Sequence, residues 1–186
     1  MIKGSGLSAS FFRKGSDKMT AISYYDSPIG RVLIHAEQDA VCGLWFIGQQ
    51  HFPDEFVNAE LRNEDIEIIT RCKAWLDEYF SGGRPEISAL KLAPKGSLFR
   101  QRVWEILRNI PYGGTTSYGK IARELETRFG TRVSAQAVGG AVGHNPISII
   151  IPCHRVLGAD GRLTGYAGGI EKKAFLLRLE ADNSAK

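Results

Sequence analysis

Cys153, His154 and Arg155 follow one another directly after Pro152, at the end of the apolar run 147–151. A thiolate is the nucleophilic form of cysteine, and neighbouring positive charge or a helix N-terminus raises its fraction. A thiol with a base and a permanent cation beside it is therefore set up for nucleophilic reaction at sulfur. The run 147–151 has the length of one buried strand, and Pro152, with fixed φ and no N–H, must end its ladder. The expectation is a strand over 147–151 with the thiol at its mouth. Residue types alone leave a second reading open. A single cysteine also serves as a small buried hydrophobe, and sequence neighbours on a strand point to opposite faces.

The segment Pro152-Cys153-His154-Arg155-Val156 resembles the active-site signature of the O6-alkylguanine-DNA alkyltransferases, the direct-reversal repair proteins. The similarity continues through Ala137-Val138-Gly139-Gly140-Ala141, Asn145-Pro146, Gly165-Tyr166-Ala167-Gly168-Gly169 and Leu176-Leu177 to Glu180, covering about residues 95–181. The resemblance implies one irreversible, stoichiometric transfer of a methyl or alkyl group from guanine O6, and from thymine O4, to Cys153 after base flipping. It implies that His154 takes the thiol proton through a water, that Glu180 orients the imidazole, and that Tyr118 donates to the departing base. Asn145 would brace the active-site turn, and Arg155 would anchor the segment. Val156, Tyr166, Ala167 and Gly168 would hold the flipped base, largely through backbone. Double-stranded DNA would be met in the minor groove by Ser117, Arg132, Gln136, Ala137, Gly139 and Gly140. Relatives usually carry arginine where this chain has Gln136, a weaker plug for the gap a flipped base leaves, with Arg128 or Arg132 as substitutes from the preceding loop. The resemblance implies no cofactor, no metal, and a cytoplasmic monomer.

Two alternatives predict different behaviour. A non-catalytic lesion-binding relative would lack the cysteine, which is present. A cysteine hydrolase built on Cys153 and His154 would turn over without DNA, and the basic second half of the chain argues against it.

The elements that must position these residues are legible in outline. Residues 1–18 read as a flexible tail, with Met19 a plausible second start. Residues 21–25, 31–36 and 41–46 read as strands of a small antiparallel sheet, with a turn at Ser27-Pro28-Ile29-Gly30. Ile66, Ile69, Cys72, Trp75, Leu76, Tyr79 and Phe80 recur at helical spacing, and Gly82-Gly83 stops that helix. Cys72 lies on its apolar face and reads as core. After a linker around 93–96, Ser97, Ser117 and Ser134 are each placed to cap a helix. The second and third of these helices form a helix-turn-helix candidate, with 135–142 the recognition helix. A last helix, 170–180, is expected to turn Ala174 and Leu177 inward, with Phe175 and Leu176. The fold expectation is α/β: a tail (1–18), a ribonuclease-H-like N-terminal domain of antiparallel sheet plus helix (19–92), and a mostly helical DNA-binding domain carrying the cysteine (93–186).

Composition agrees with this division. Residues 1–90 hold 9 Lys/Arg against 13 Asp/Glu, whereas residues 91–186 hold 15 against 7. A basic half suits a polyanionic partner. No apolar run approaches the ~20 residues that span a bilayer, and the N-terminus lacks an apolar signal core. Three cysteines without CxxC spacing argue against a disulfide framework, and no spacing supports a metal site at His35, His51 or Cys42.

Overall fold

The computed structural model describes residues 20–57, 65–130 and 132–184. The expected tail, 1–18, lies outside them. Three antiparallel strands come first: β1 (Thr20–Ser27), β2 (Gly30–Glu37) and β3 (Ala40–Phe46), in the order β1-β2-β3. The β1–β2 turn is closed by Ser27, whose hydroxyl donates to the Gly30 carbonyl and accepts from the Ile29 N–H, and Gly30 takes φ +121°. Helix α1 (Glu67–Phe80) packs Ile69, Cys72, Leu76 and Tyr79 against the sheet, all four buried, as the helical spacing predicts.

β3 should be an exposed edge, yet all seven of its residues are buried. Two segments from further along the chain pair with it. Val41 exchanges backbone hydrogen bonds with Lys91 and Ala93, and Leu44 exchanges them with Pro146 and Ser148, each at 2.8 Å. An open edge with unpaired N–H and C=O groups is thereby closed. The same pairing fastens the approach to Cys153 onto the N-terminal sheet.

The second half is helical: α2 (Leu98–Arg108), α3 (Tyr118–Phe129), α4 (Ala135–Gly143) and α5 (Ile170–Ser184). Ser97, Ser117 and Ser134 are the N-caps, accepting from the N–H groups of Arg100, Lys120 and Ala137. Buried Trp104 of α2 donates its indole N–H to the Ala141 carbonyl of α4 at 2.9 Å. A two-residue parallel ladder, β4 (Thr116–Ser117) with β5 (Val156–Leu157), ties the start of α3 to the chain just after Cys153.

Two expectations are corrected. Residues 147–151 are buried but form no strand beyond the single bridge Leu44↔Ile147. An apolar run cannot by itself distinguish a strand from any other buried segment, and here local turns win. On α5 the innermost residues are Lys173, Leu176 and Glu180, while Phe175 is 38% exposed and Ala174 and Leu177 are only partly covered. Charged side chains took the inward positions because each found buried partners.

Candidate active site

The chain reaches Cys153 through two tight turns in series. Ile150 N–H donates to the Ser148 carbonyl at 2.8 Å around Ile149, whose φ is +69°. That is the rare positive-φ form of the γ-turn, strained for a β-branched residue. Cys153 N–H then donates to the Ile151 carbonyl at 2.8 Å around Pro152 (φ −81°, ψ 63°), the relaxed mirror form. Asn145 braces both. Its Oδ1 accepts from Ile147 N–H at 3.1 Å, and its Nδ2 donates to the Ile151 carbonyl at 2.8 Å and lies 3.1 Å from Cys153 Sγ. Cys153 opens one turn of 3-10 helix, Cys153–Arg155. Burial pushes its thiol up. The Asn145 amide, the Lys173 charge and the N–H groups of Cys153 and His154 oppose that rise.

The imidazole next in the chain meets a carboxylate with five donors. Glu180 of α5, fully buried, accepts from His154 Nε2 at 2.7 Å, from Arg155 through Nε and Nη2 at 2.9 Å each, from Tyr79 OH at 2.7 Å and from Gly113 N–H at 3.1 Å. Burial pushes Glu180 up, but the hydrogen bonds and charges of His154 and Arg155 outweigh it and hold the carboxyl at about 2. Burial pushes His154 down, against Glu180. The imidazole is therefore neutral, with its proton on Nε2 toward the carboxylate. His154 Nδ1 is buried without a hydrogen-bond partner among the described residues, leaving a lone pair free. Arg155 also donates to the Ile110 carbonyl at 2.6 Å.

Cys153 opens onto a pocket of about 250 Å³, walled by Tyr118, by Gly139 and Gly140 of α4, by Gly165, Tyr166 and Ala167, and by Gln50, His51 and His144. Thr164 Oγ1 donates to Tyr118 OH at 3.2 Å, which leaves the phenolic proton free. A Cβ at Gly168 would sit 2.9 Å from the Phe46 ring and from the Tyr166 ring, so only glycine fits there. Lys173 Nζ, fully buried, donates to the carbonyls of Val156 (2.5 Å), Thr164 (2.6 Å) and Gly165 (3.3 Å). It clamps the 164–168 loop to the strand after the cysteine. Burial lowers it to about 8, against the pull of Cys153. A larger cavity, about 830 Å³, lies behind Arg155 and does not reach Cys153.

The sequence-named residues thus fall into two groups. Cys153, Tyr118, Tyr166 and Ala167 line the pocket, with Asn145 on the sulfur and His154 paired to Glu180, while Val156 and Gly168 lie outside its lining, the one held by Lys173 and the other packed on the Tyr166 ring. Ser117 caps α3, and Arg132, Gln136 and Ala137 are exposed along the turn and α4, with Gly139 and Gly140 shared between that helix and the pocket. Arg128 pairs through its guanidinium with Glu105 and Glu124. Tyr79, Lys173 and His144 were not singled out for the site, and His51 was weighed only as a metal ligand. Tyr79 reads as one more apolar helix position, and a lysine on a helix reads as solvated. Among the described residues no group of three His, Cys, Asp or Glu is placed to hold a metal.

Residues 98–182 match the family described as 6-O-methylguanine DNA methyltransferase, DNA binding domain, and residues 21–94 match its ribonuclease-like domain. A methylated-DNA–protein-cysteine methyltransferase of Haemophilus influenzae is 41% identical over 87% of this chain and 88% of its own. One of Methanosarcina acetivorans is 40% identical over 84% and 95%. The Mycobacterium tuberculosis O6-methylguanine methyltransferase superposes with a TM-score of 0.75 at 40% identity, covering 89% of this chain and 94% of its own. The same organism's OGT in complex with DNA does so at 0.75 and 39%, over 88% and 94%. With both family domains matched in order along the chain, this protein belongs to the 6-O-methylguanine DNA methyltransferase family.

Proposed function

We propose that the direct-reversal DNA repair carried out by this methyltransferase runs through Cys153 as acceptor, in one irreversible transfer per chain. The observation that carries this reading is a buried thiol followed directly in the chain by an imidazole whose Nδ1 has no partner among the described residues and whose Nε2–H is fixed by the buried Glu180 carboxylate. It is the arrangement of a nucleophile, a base and an orienting group. His154 takes the thiol proton on Nδ1 through a water, and Glu180 stabilises the imidazolium. The sulfur attacks the alkyl carbon in line, the S–C bond forming as the C–O6 bond breaks. Tyr118, its oxygen already accepting from Thr164, gives its proton to the departing guanine or hydrogen-bonds it. The thioether has no route back to a thiol, so the protein is consumed.

The substrate is a base flipped from duplex DNA: O6-alkylguanine, and O4-alkylthymine by the same geometry. The size of the pocket supports this, since about 250 Å³ lies below the roughly 300–1,000 Å³ of sites for drug-sized ligands. Val156, Tyr166, Ala167 and Gly168 hold the base. α4 enters the minor groove, where its small residues Ala137, Gly139 and Gly140 permit close approach, and Gln136 plugs the vacated stack. Ser117 and Arg132 meet phosphates. Contacts of this kind make binding weakly sequence-specific and salt-sensitive. The protein works as a monomer in the cytoplasm without cofactor. Among the described residues no helix is long and apolar enough to cross a membrane. Cys153→Ala tests the assignment. It should bind a lesion duplex yet take up no labelled methyl group, and any transfer by this variant would remove Cys153 from the role.

A further inference from the structure

His51 and His144 come from opposite halves of the molecule, and their rings stack with centroids 3.8 Å apart and planes 20° from parallel. Both line the pocket that holds Cys153. The wall they share is otherwise bare: Gly140 and Gly143 have nothing within 4 Å of where a Cβ would stand. His144 is the inner plate, half-buried at the C-cap of α4, with Nδ1–H directed to the Gly140 carbonyl at 2.7 Å. It is the residue before Asn145, the brace of the active-site turn. His51 is the outer plate, solvent-exposed, on the loop after β3.

That loop is held in place from three sides. Gln49 Oε1 accepts from Phe46 N–H at 2.9 Å and from Ser148 Oγ at 3.3 Å, and Gln50 N–H donates to the Ala167 carbonyl at 3.0 Å. His51 itself sits at φ +61°, a conformation that disfavours any side chain and persists only where surroundings impose it. Partial burial, then His144 and Arg100, push the His51 imidazole down, so it is neutral at pH 7 and the stack carries no like-charge repulsion there.

We propose that the His51–His144 stack is the selectivity wall of the Cys153 pocket, its outer plate supplied by the N-terminal domain, and that it excludes O6 substituents much larger than methyl. The inference rests on the proposed alkylguanine substrate. The pocket is sized for a single base because two imidazoles close a side that the glycines of α4 leave open. Removing the outer plate extends the pocket to solvent, and the added room accepts a bulky alkyl group while leaving the sulfur, the base and the carboxylate cluster in place.

The test is single-turnover transfer from duplexes carrying O6-methylguanine or O6-benzylguanine, read as the benzyl-to-methyl rate ratio. His51→Gly is the informative variant, since glycine accepts φ +61° without strain and so removes the ring while keeping the backbone. The expected ratio for His51→Gly is at least fivefold above wild type, and His51→Phe, which restores a flat ring, stays within twofold of wild type. An unchanged or lowered ratio in His51→Gly, with wild-type methyl transfer intact, overturns the wall alone. No methyl transfer by the wild-type protein overturns the substrate reading, and the wall falls with it.

Discussion

Tyr79→Phe isolates the contact by which the N-terminal domain reaches the catalytic carboxylate. Tyr79 sits on α1 and Glu180 on α5, 101 residues apart, and the phenol donates to Oε1 at 2.7 Å in a fully buried setting. Phenylalanine keeps the ring stacked on Trp75 at 5.4 Å and edge-on to Tyr112 at 6.0 Å, so packing is conserved and only the hydroxyl is lost. A hydrogen bond to a charged group contributes about 1.5–3 kcal/mol. Four donors remain on Glu180, which favours the lower end. For a chain of this size about 1.5 kcal/mol corresponds to a fall in Tm of about 3–6 °C. Thermal unfolding followed by circular dichroism checks it. The second readout is kinetic. Oε1, relieved of one donor, holds the His154 proton more tightly, so the acid limb of the transfer-rate profile moves to higher pH. A variant with wild-type Tm and an unshifted profile would refute the idea that α1 helps to set the site.

Four further outcomes follow from the same geometry. Glu180→Gln leaves Arg155 buried without its counter-charge, which costs about 3–5 kcal/mol, and a shifted urea midpoint would show it. The pH dependence has a fixed sign. Glu180 sits at about 2 in the folded chain against roughly 4.3 unfolded, so its contribution is complete above the unfolded value and is lost as pH falls toward 2. Unfolding free energy measured from pH 5 to 2 should carry that slope in wild type and lack it in Glu180→Gln. Asn145→Ala removes the donor beside Sγ and the brace on two turns; thiol alkylation by a small reagent should require higher pH, and an unshifted profile would show the amide to be irrelevant to the thiolate. Gln136→Arg should tighten binding to lesion duplex and steepen its salt dependence by about one phosphate contact, and titration at two salt concentrations would expose a neutral position 136.

The chemistry was more legible in the sequence than the structure that holds it. Cys153 and His154 sit in a contiguous signature and Glu180 ends the stretch that resembles the family, and the serine caps at 97, 117 and 134 announce their helices because a single side chain satisfies orphan N–H groups at a fixed offset. Residues 147–151 misled because burial alone does not imply a ladder; two γ-turns and the Asn145 side chain satisfy that backbone instead. Lys173 was illegible for a related reason. A lysine on a helix is solvated unless acceptors are arranged around it, and its three carbonyls lie on the two-residue strand β5 and on a loop whose path no periodicity records. Tyr79 and His51 reach the site only because β3 accepts Leu92 and Ile147 along its edge, a long-range pairing without a local signature.

The most direct measurement is the mass of the protein after incubation with a duplex carrying one O6-methylguanine. The account predicts a gain of one methylene, confined to the peptide containing Cys153, saturating at one per chain and accompanied by restored guanine in the DNA. An unmodified protein that still holds the duplex tightly, or a methyl group mapped to Cys42 or Cys72, would contradict it.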